Sequence, residues 1–203
     1  VSNIVVMGSG EPMDNYENIV KFVRIISSDM GLNISQRNIT VSTCGIVPKI
    51  RQLADEGLNI TLALSLHAPN DEIRKTIMPV ANKYALKDVI SACDYYFKKT
   101  GRRVSYEYSL VAGVNDNIEE AKKLVKLVNG RNIHINLIPV NPIKERDFKQ
   151  SDKLKVKAFR DFLEKKGVNA TVRREMGRDI DGACGQLRRR FIETNGGSES
   201  LEV

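Results

Sequence analysis

Two apolar rhythms alternate along the chain. Runs typical of buried strands occupy 4–7, 39–42, 60–66, 104–110, 133–138 and 168–172, and stretches of helix length separate them. Within 16–30, Ile19, Val20, Val23, Ile25 and Ile26 form a broad apolar stripe. Helical patterns at 48–56, 85–100, 118–129 and 152–166 each run into a glycine: Gly57, Gly101, Gly130 and Gly167. Glycine closes helices because it alone enters the left-handed conformation at little steric cost. The turn Gly113-Val114-Asn115-Asp116 introduces the helix at 118–129. Strands alternating with helices predict a parallel α/β sheet with outer helices.

Polar residues gather where the predicted strands end. The clusters are Gly8-Ser9-Gly10-Glu11-Pro12, Ser42-Thr43-Cys44-Gly45, Ser65-Leu66-His67-Ala68 and Pro139-Val140-Asn141-Pro142. In parallel barrels and open α/β sheets the carboxyl ends of the strands carry the chemistry. Four clusters predicted to converge there weigh more than any one alone. Gly8-Ser9-Gly10 by itself is a weak phosphate or ribose turn. It is no dinucleotide fingerprint, since a third spaced glycine is missing and Pro12 interrupts the helix start. No Gly-Lys-Ser/Thr of a phosphate-binding loop follows it either.

Composition narrows the picture. The chain has 203 residues, enough to bury a core as one domain, and is 41% hydrophobic. A net charge of +7 fits a polyanionic partner, nucleic acid first, and fits a charge kept for solubility equally well. Tryptophan is absent, so aromatic stacking platforms are few. Three cysteines at long spacings, Cys44, Cys93 and Cys184, are not a secreted disulfide framework. With no long apolar run and no signal peptide, a cytoplasmic location is expected. The chain opens at Val1 directly as a strand, without an initiator methionine, which reads as a piece of a longer chain.

Cys184 carries the strongest chemical signal. It sits in Asp181-Gly182-Ala183-Cys184-Gly185-Gln186-Leu187, where small neighbours leave the thiol approachable. Arg173, Arg174, Arg178, Arg188, Arg189 and Arg190 bracket it. Such charges steer a polyanion, contact RNA phosphates and lower a thiol pKa, although a solvated basic surface would look the same.

Taken in order, Met7-Gly8-Ser9-Gly10-Glu11-Pro12, Val41-Ser42-Thr43, Leu64-Ser65-Leu66-His67-Ala68, Asn136-Leu137-Ile138-Pro139-Val140-Asn141-Pro142 and the Cys184 segment resemble the radical S-adenosylmethionine (SAM) RNA adenine methyltransferases. The resemblance covers the chain to about residue 192. It is nearest to the dual-specificity group that methylates carbon 2 of adenine in 23S ribosomal RNA (rRNA) and certain transfer RNAs (tRNA). The sister group acting on carbon 8 is separated less sharply. The resemblance implies a partial (β/α)6 barrel lacking its first strand over 1–192, with 193–203 a disordered tail. It also implies that Gly10 and Glu11 hold the methionine end of SAM, the Glu11 carboxylate taking its amino group. Ser42, Ser65, His67 and Asn141 are implied as further SAM contacts, and Cys184 as the cysteine that is itself methylated.

In that family one SAM methylates the cysteine sulfur, and a second is cleaved at a 4Fe-4S cluster fed by an electron donor. A radical formed on the methylated cysteine then adds to adenine, and a second cysteine releases the product as a disulfide. Sulfur suits this sequence because it can be alkylated, carry a carbon radical and leave as a disulfide. The parent is expected to be monomeric.

The chain departs from the family pattern in one block. The cluster triplet Cys-x3-Cys-x2-Cys, the second catalytic cysteine and the N-terminal RNA-binding domain all lie upstream in the family. Three cluster ligands and two catalytic thiols need five cysteines, and this chain has three. No metal-binding residues are therefore expected, and the chain alone is expected to be inactive. Removing the first strand is also expected to expose a sheet edge. Ser9 stands where the family commonly has methionine. A non-catalytic SAM- or RNA-binding remnant, or half of a split enzyme, is the competing class. Among the remaining candidates, Cys44 and Cys93 read as packing residues, His134 as a satisfied structural histidine, and Glu107 as support for the pocket.

Overall fold

The computed structural model describes residues 1–8, 10–140 and 148–173. Six strands make one sheet: β1 (Ile4–Val6), β2 (Ile39–Thr43), β3 (Thr61–Ser65), β4 (Val104–Leu110), β5 (Ile133–Pro139) and β6 (Ala170–Val172). All neighbouring pairs are parallel, and their order in space is their order in the chain. The helices are α1 (Tyr16–Ser27), α2 (Val47–Asp55), α3 (Asp71–Ile77), α4 (Leu86–Thr100), α5 (Ile118–Val128) and α6 (Lys153–Lys165). This is the partial (β/α)6 arrangement expected from the alternating pattern.

The period of two along each strand decides which residues meet the helices. Ile39, Val41, Leu62, Leu64, Val104, Tyr106, Tyr108, Leu110, Ile135 and Leu137 are all buried in one core. Val20, Val23, Ile50, Leu53, Val89, Leu124 and Phe159 meet them from the helices. Tyr108 and Phe159 pack with ring centroids 5.5 Å apart, and the Tyr96 hydroxyl donates to the buried Ile60 carbonyl at 2.9 Å. The stripe of α1 is narrower than its sequence suggests. Val20 and Val23 are buried, whereas Ile25 is 55% exposed, because it lies two positions from Val23 and so on the opposite side of the helix.

The alternate strand residues line the concave face, and they are mostly polar. Register stacks them into rows: Val5, Thr40 and Thr61; then Ser42, Ala63, Ser105 and His134; then Ser65, Glu107, Asn136 and Thr171. A face built for a core would be apolar; this one is built for hydrogen bonding.

The predicted strands are all present, with ends moved by one or two residues. The short helix α3 is the element the apolar pattern does not announce. Its start is set by polar chemistry: Asn70 Oδ1 accepts the Ile73 N–H at 2.9 Å, and Asp71 and Glu72 occupy the first turn. Among the described residues no helix is long and apolar enough to cross a membrane.

Candidate functional site

The carboxyl ends of β1 to β4 bring three of the four polar clusters together. After β1 the backbone turns through Gly10 at φ +103°, a conformation that favours glycine. Glu11 follows and caps the 3-10 turn Pro12–Asn15, its Oε1 accepting the Met13 N–H at 3.1 Å. Its Oε2 accepts the Cys44 N–H at 2.6 Å, which ties the β1 end to the β2 end. Each carboxylate oxygen thus carries one backbone N–H, the Cys44 thiol bonds to the same carboxylate, and the negative charge held there suits a cation such as an ammonium group. Ser42 donates from Oγ to the Val6 carbonyl at 3.1 Å, so it fastens β2 to β1 on the concave face.

Beyond β3 the chain makes a tight reversal at Ser65-Leu66-His67-Ala68. The N–H groups of Leu66 and His67 both donate to the Glu107 carbonyl, at 3.0 and 3.1 Å. His67 adopts the left-handed conformation at φ 56°. Its Nδ1 accepts the Ser109 N–H at 3.1 Å, and its carbonyl accepts from Asn115 Nδ2 at 2.8 Å. Burial holds the imidazole far below its ordinary pKa, at about 4, and the nearby Arg74 guanidinium pushes the same way.

Arg74 and Asn115 were not singled out from the sequence. Arg74 is fully buried on α3, donating from Nε to the Leu66 carbonyl and from Nη2 to the carbonyls of Cys44 and Ser65. One guanidinium therefore gathers three carbonyls from two strand ends, and burial lowers its pKa. The Nη1 donor has no partner among the described residues. Asn115 is also fully buried and uses every side-chain group, accepting from the Val111 N–H and donating to the carbonyls of Ser109 and His67. A helix-start signal at Asn70-Asp71-Glu72 could have flagged Arg74. Asn115 carried only its place in a turn.

Two hollows open on this scaffold. A cavity of about 420 Å³ lies at the strand ends, lined by Cys44, His67, Ile77, Met78, Ser109 and Phe148 among others. Cys44, expected to be a packing residue, is half-buried there; burial and the Glu11 carboxylate push its thiol up to about 12. The second hollow, about 580 Å³, follows the concave face and holds Arg102, Arg103, Glu107, Asn136 and Arg173. Glu107 accepts from Asn136 Nδ2 at 2.8 Å and from Ser105 Oγ at 3.3 Å, and burial raises its pKa. It lines this hollow and not the strand-end cavity beside Cys44 and His67. Arg173 is exposed at the same hollow, its N–H extending the β5 ladder through the Leu137 carbonyl.

Cys93 is buried in the core as expected, and burial raises its thiol pKa to about 12. His134 has both ring nitrogens partnered, by Asn169 and Thr171. Asn141, Cys184, Arg174, Arg178, Arg188, Arg189, Arg190 and the tail 193–203 lie outside the described residues.

SAM suits these strand ends: a half-buried carboxylate, a neutral imidazole and a largely apolar hollow stand together. A cluster does not suit the described residues. No three His, Cys, Asp or Glu side chains stand together among them, and Cys44 and Cys93 lie on separate elements.

Comparison with known proteins agrees with this geometry. The chain is 67% identical over 193 residues to the probable dual-specificity RNA methyltransferase RlmN of Lachnospira eligens, covering 95% of the chain and 55% of that protein. It is 60% identical to the protein of the same name from Clostridium perfringens, covering 97% and 56%. The chain thus spans about half the length of the curated relatives it matches. A radical SAM methyltransferase from Sphaerobacter thermophilus superposes with a TM-score of 0.89 at 45% identity, over 93% of this chain and 55% of that one. A domain of pyruvate-formate lyase-activating enzyme from Bacteroides vulgatus shares the fold alone, with a TM-score of 0.65 at 16% identity over 86% of this chain and all of that domain. Residues 2–128 match the radical SAM superfamily, and with the parallel sheet and its polar strand ends this places the chain in that superfamily.

Proposed function

We propose that this chain is the C-terminal part of the catalytic domain of an RNA methyltransferase that moves a methyl group from SAM to carbon 2 of adenine in 23S rRNA and tRNA. The observation that carries the reading is the 67% identity to a dual-specificity RNA methyltransferase across 95% of the chain. Convergence of Glu11, Cys44 and His67 at the strand ends supports it. Glu11 is the residue for the cofactor's ammonium, and Gly10 lets the backbone reach that position. Ser42 and Ser65 face the same side of the sheet, and His67 lines the cavity beside them. SAM supplies the methyl group and, with a cluster held elsewhere in the parent, the radical chemistry. Cys184 is proposed as the thiol that receives the methyl group, Asn141 as a further cofactor contact, and Arg173, Arg174, Arg178, Arg188, Arg189 and Arg190 as the RNA-facing charges. The cluster, its electron donor and a cytoplasmic location belong to the proposed parent.

The test joins this chain to the amino-terminal half of the Lachnospira eligens relative and expresses the hybrid in cells lacking the endogenous enzyme. Mass spectrometry of digested 23S rRNA and tRNA should detect 2-methyladenosine, and Cys184→Ala or Glu11→Gln should abolish it. Finding 8-methyladenosine instead assigns the chain to the carbon-8 group. A stable hybrid that methylates neither position sinks the reading.

A further inference from the structure

His67 is held from four sides without a glycine to ease its backbone. Its N–H is bound to the Glu107 carbonyl, its Nδ1 to the Ser109 N–H, and its carbonyl to Asn115 Nδ2. The carbonyl before it, that of Leu66, is bound to Arg74. Left-handed backbone costs a non-glycine residue on the order of 1 kcal/mol, and such conformations persist only where the surroundings over-determine them. Because Nδ1 accepts a hydrogen bond, the neutral ring must carry its proton on Nε2. Nε2 has no partner among the described residues, and the ring lines the strand-end cavity.

We infer that Asn115 is a positioning residue, clamping His67 in a left-handed turn so that one fixed donor, Nε2–H, faces the cavity and meets an acceptor atom of the cofactor. The inference rests on the cofactor reading of that cavity. Asn115 suits the task because it spans both partners. Its Nδ2 binds the His67 and Ser109 carbonyls at 2.8 and 2.7 Å, while its Oδ1 binds the Val111 N–H at 2.8 Å. Aspartate is isosteric but has no donor for either carbonyl, and alanine removes all three bonds.

The chain contains two histidines, so 15N-histidine labelling gives two readable ring systems. In the unmodified 203-residue chain His67 should show the Nε2–H tautomer alone. Adding SAM should shift Nε2 and leave Nδ1 in place. In Asn115→Ala the single tautomer should give way to a mixture, and SAM should bind up to about tenfold more weakly, the worth of one hydrogen bond. Tyr96→Phe serves as a control that weakens a buried bond elsewhere. If Asn115 were merely structural, its variant would melt lower, like the control, while keeping the native His67 spectrum; that result overturns the inference. An Nδ1–H tautomer in the unmodified chain overturns it too, even if Asn115→Ala fails to fold. A correct tautomer that depends on Asn115 but ignores SAM instead removes the cofactor from this cavity.

Discussion

Replacing His67 with asparagine separates the charge of the imidazole from its geometry. Asparagine tolerates the left-handed conformation, and its side-chain carbonyl can accept the Ser109 N–H that Nδ1 now accepts. In the folded chain the imidazole titrates at about 4 rather than 6.5, first through burial and then through Arg74. A histidine with a depressed folded pKa adds stability above its unfolded value. That stability is lost as pH falls from about 6.5 towards about 4, because over this window only the unfolded chain takes up the proton. Each pH unit well inside the window is worth ~1.4 kcal/mol. Going from about pH 7 to about pH 5, the native chain should therefore lose about 2 kcal/mol relative to His67→Asn. Urea denaturation followed by circular dichroism at both pH values gives the two stabilities for each protein. His134 and the carboxylates are common to both and cancel in the difference. A difference that does not move with pH, or that moves in favour of the native chain on acidification, refutes the reasoning.

Arg74→Met should cost about 2 kcal/mol, because it takes the guanidinium from the Cys44 and Ser65 carbonyls and leaves the Leu66 carbonyl only the Ala68 N–H, and Arg74→Lys should recover part of it. Urea midpoints measure both, and no loss in either variant would mean that those carbonyls find other donors. Iodoacetamide at neutral pH should leave Cys44 and Cys93 unmodified in the folded chain, since burial raises both thiols to about 12; peptide mass spectrometry reads the outcome. Prompt labelling of Cys44 would mean that its thiolate is stabilised. Tyr96→Phe should lower stability by ~1 kcal/mol through loss of the buried bond to the Ile60 carbonyl, again read by urea denaturation.

The sheet was legible because its strands are simple. In β4, Val104, Tyr106, Tyr108 and Leu110 alternate with Ser105, Glu107 and Ser109, and the two sets face helices and hollow respectively. Polar clusters at the strand ends were legible for the same reason: they break an apolar run where the chain must turn. Helix α3 escaped notice because seven residues with Ile73 and Ile77 as their only apolar members make no stripe. Arg74 and Asn115 were hidden for a deeper reason. Their partners are main-chain carbonyls and amides, which every residue possesses and no side-chain pattern records. The left-handed turn at His67 was unreadable likewise, since no glycine marks it. The place of Cys44 was not legible, because a cysteine beside a strand end has the same neighbours in sequence whether it packs inward or lines a hollow.

The six strands stand in space in the order in which they leave the ribosome. No strand waits for a distant partner, so each new strand and its helix can dock on a template already made. The longest closure, from β3 to β4, spans α3 and α4 with their turns, and because the entropy of closure grows only slowly with length it stays nearly constant along the chain. A domain assembled this way is suited to folding vectorially during synthesis, with its growing edge always the most recent strand.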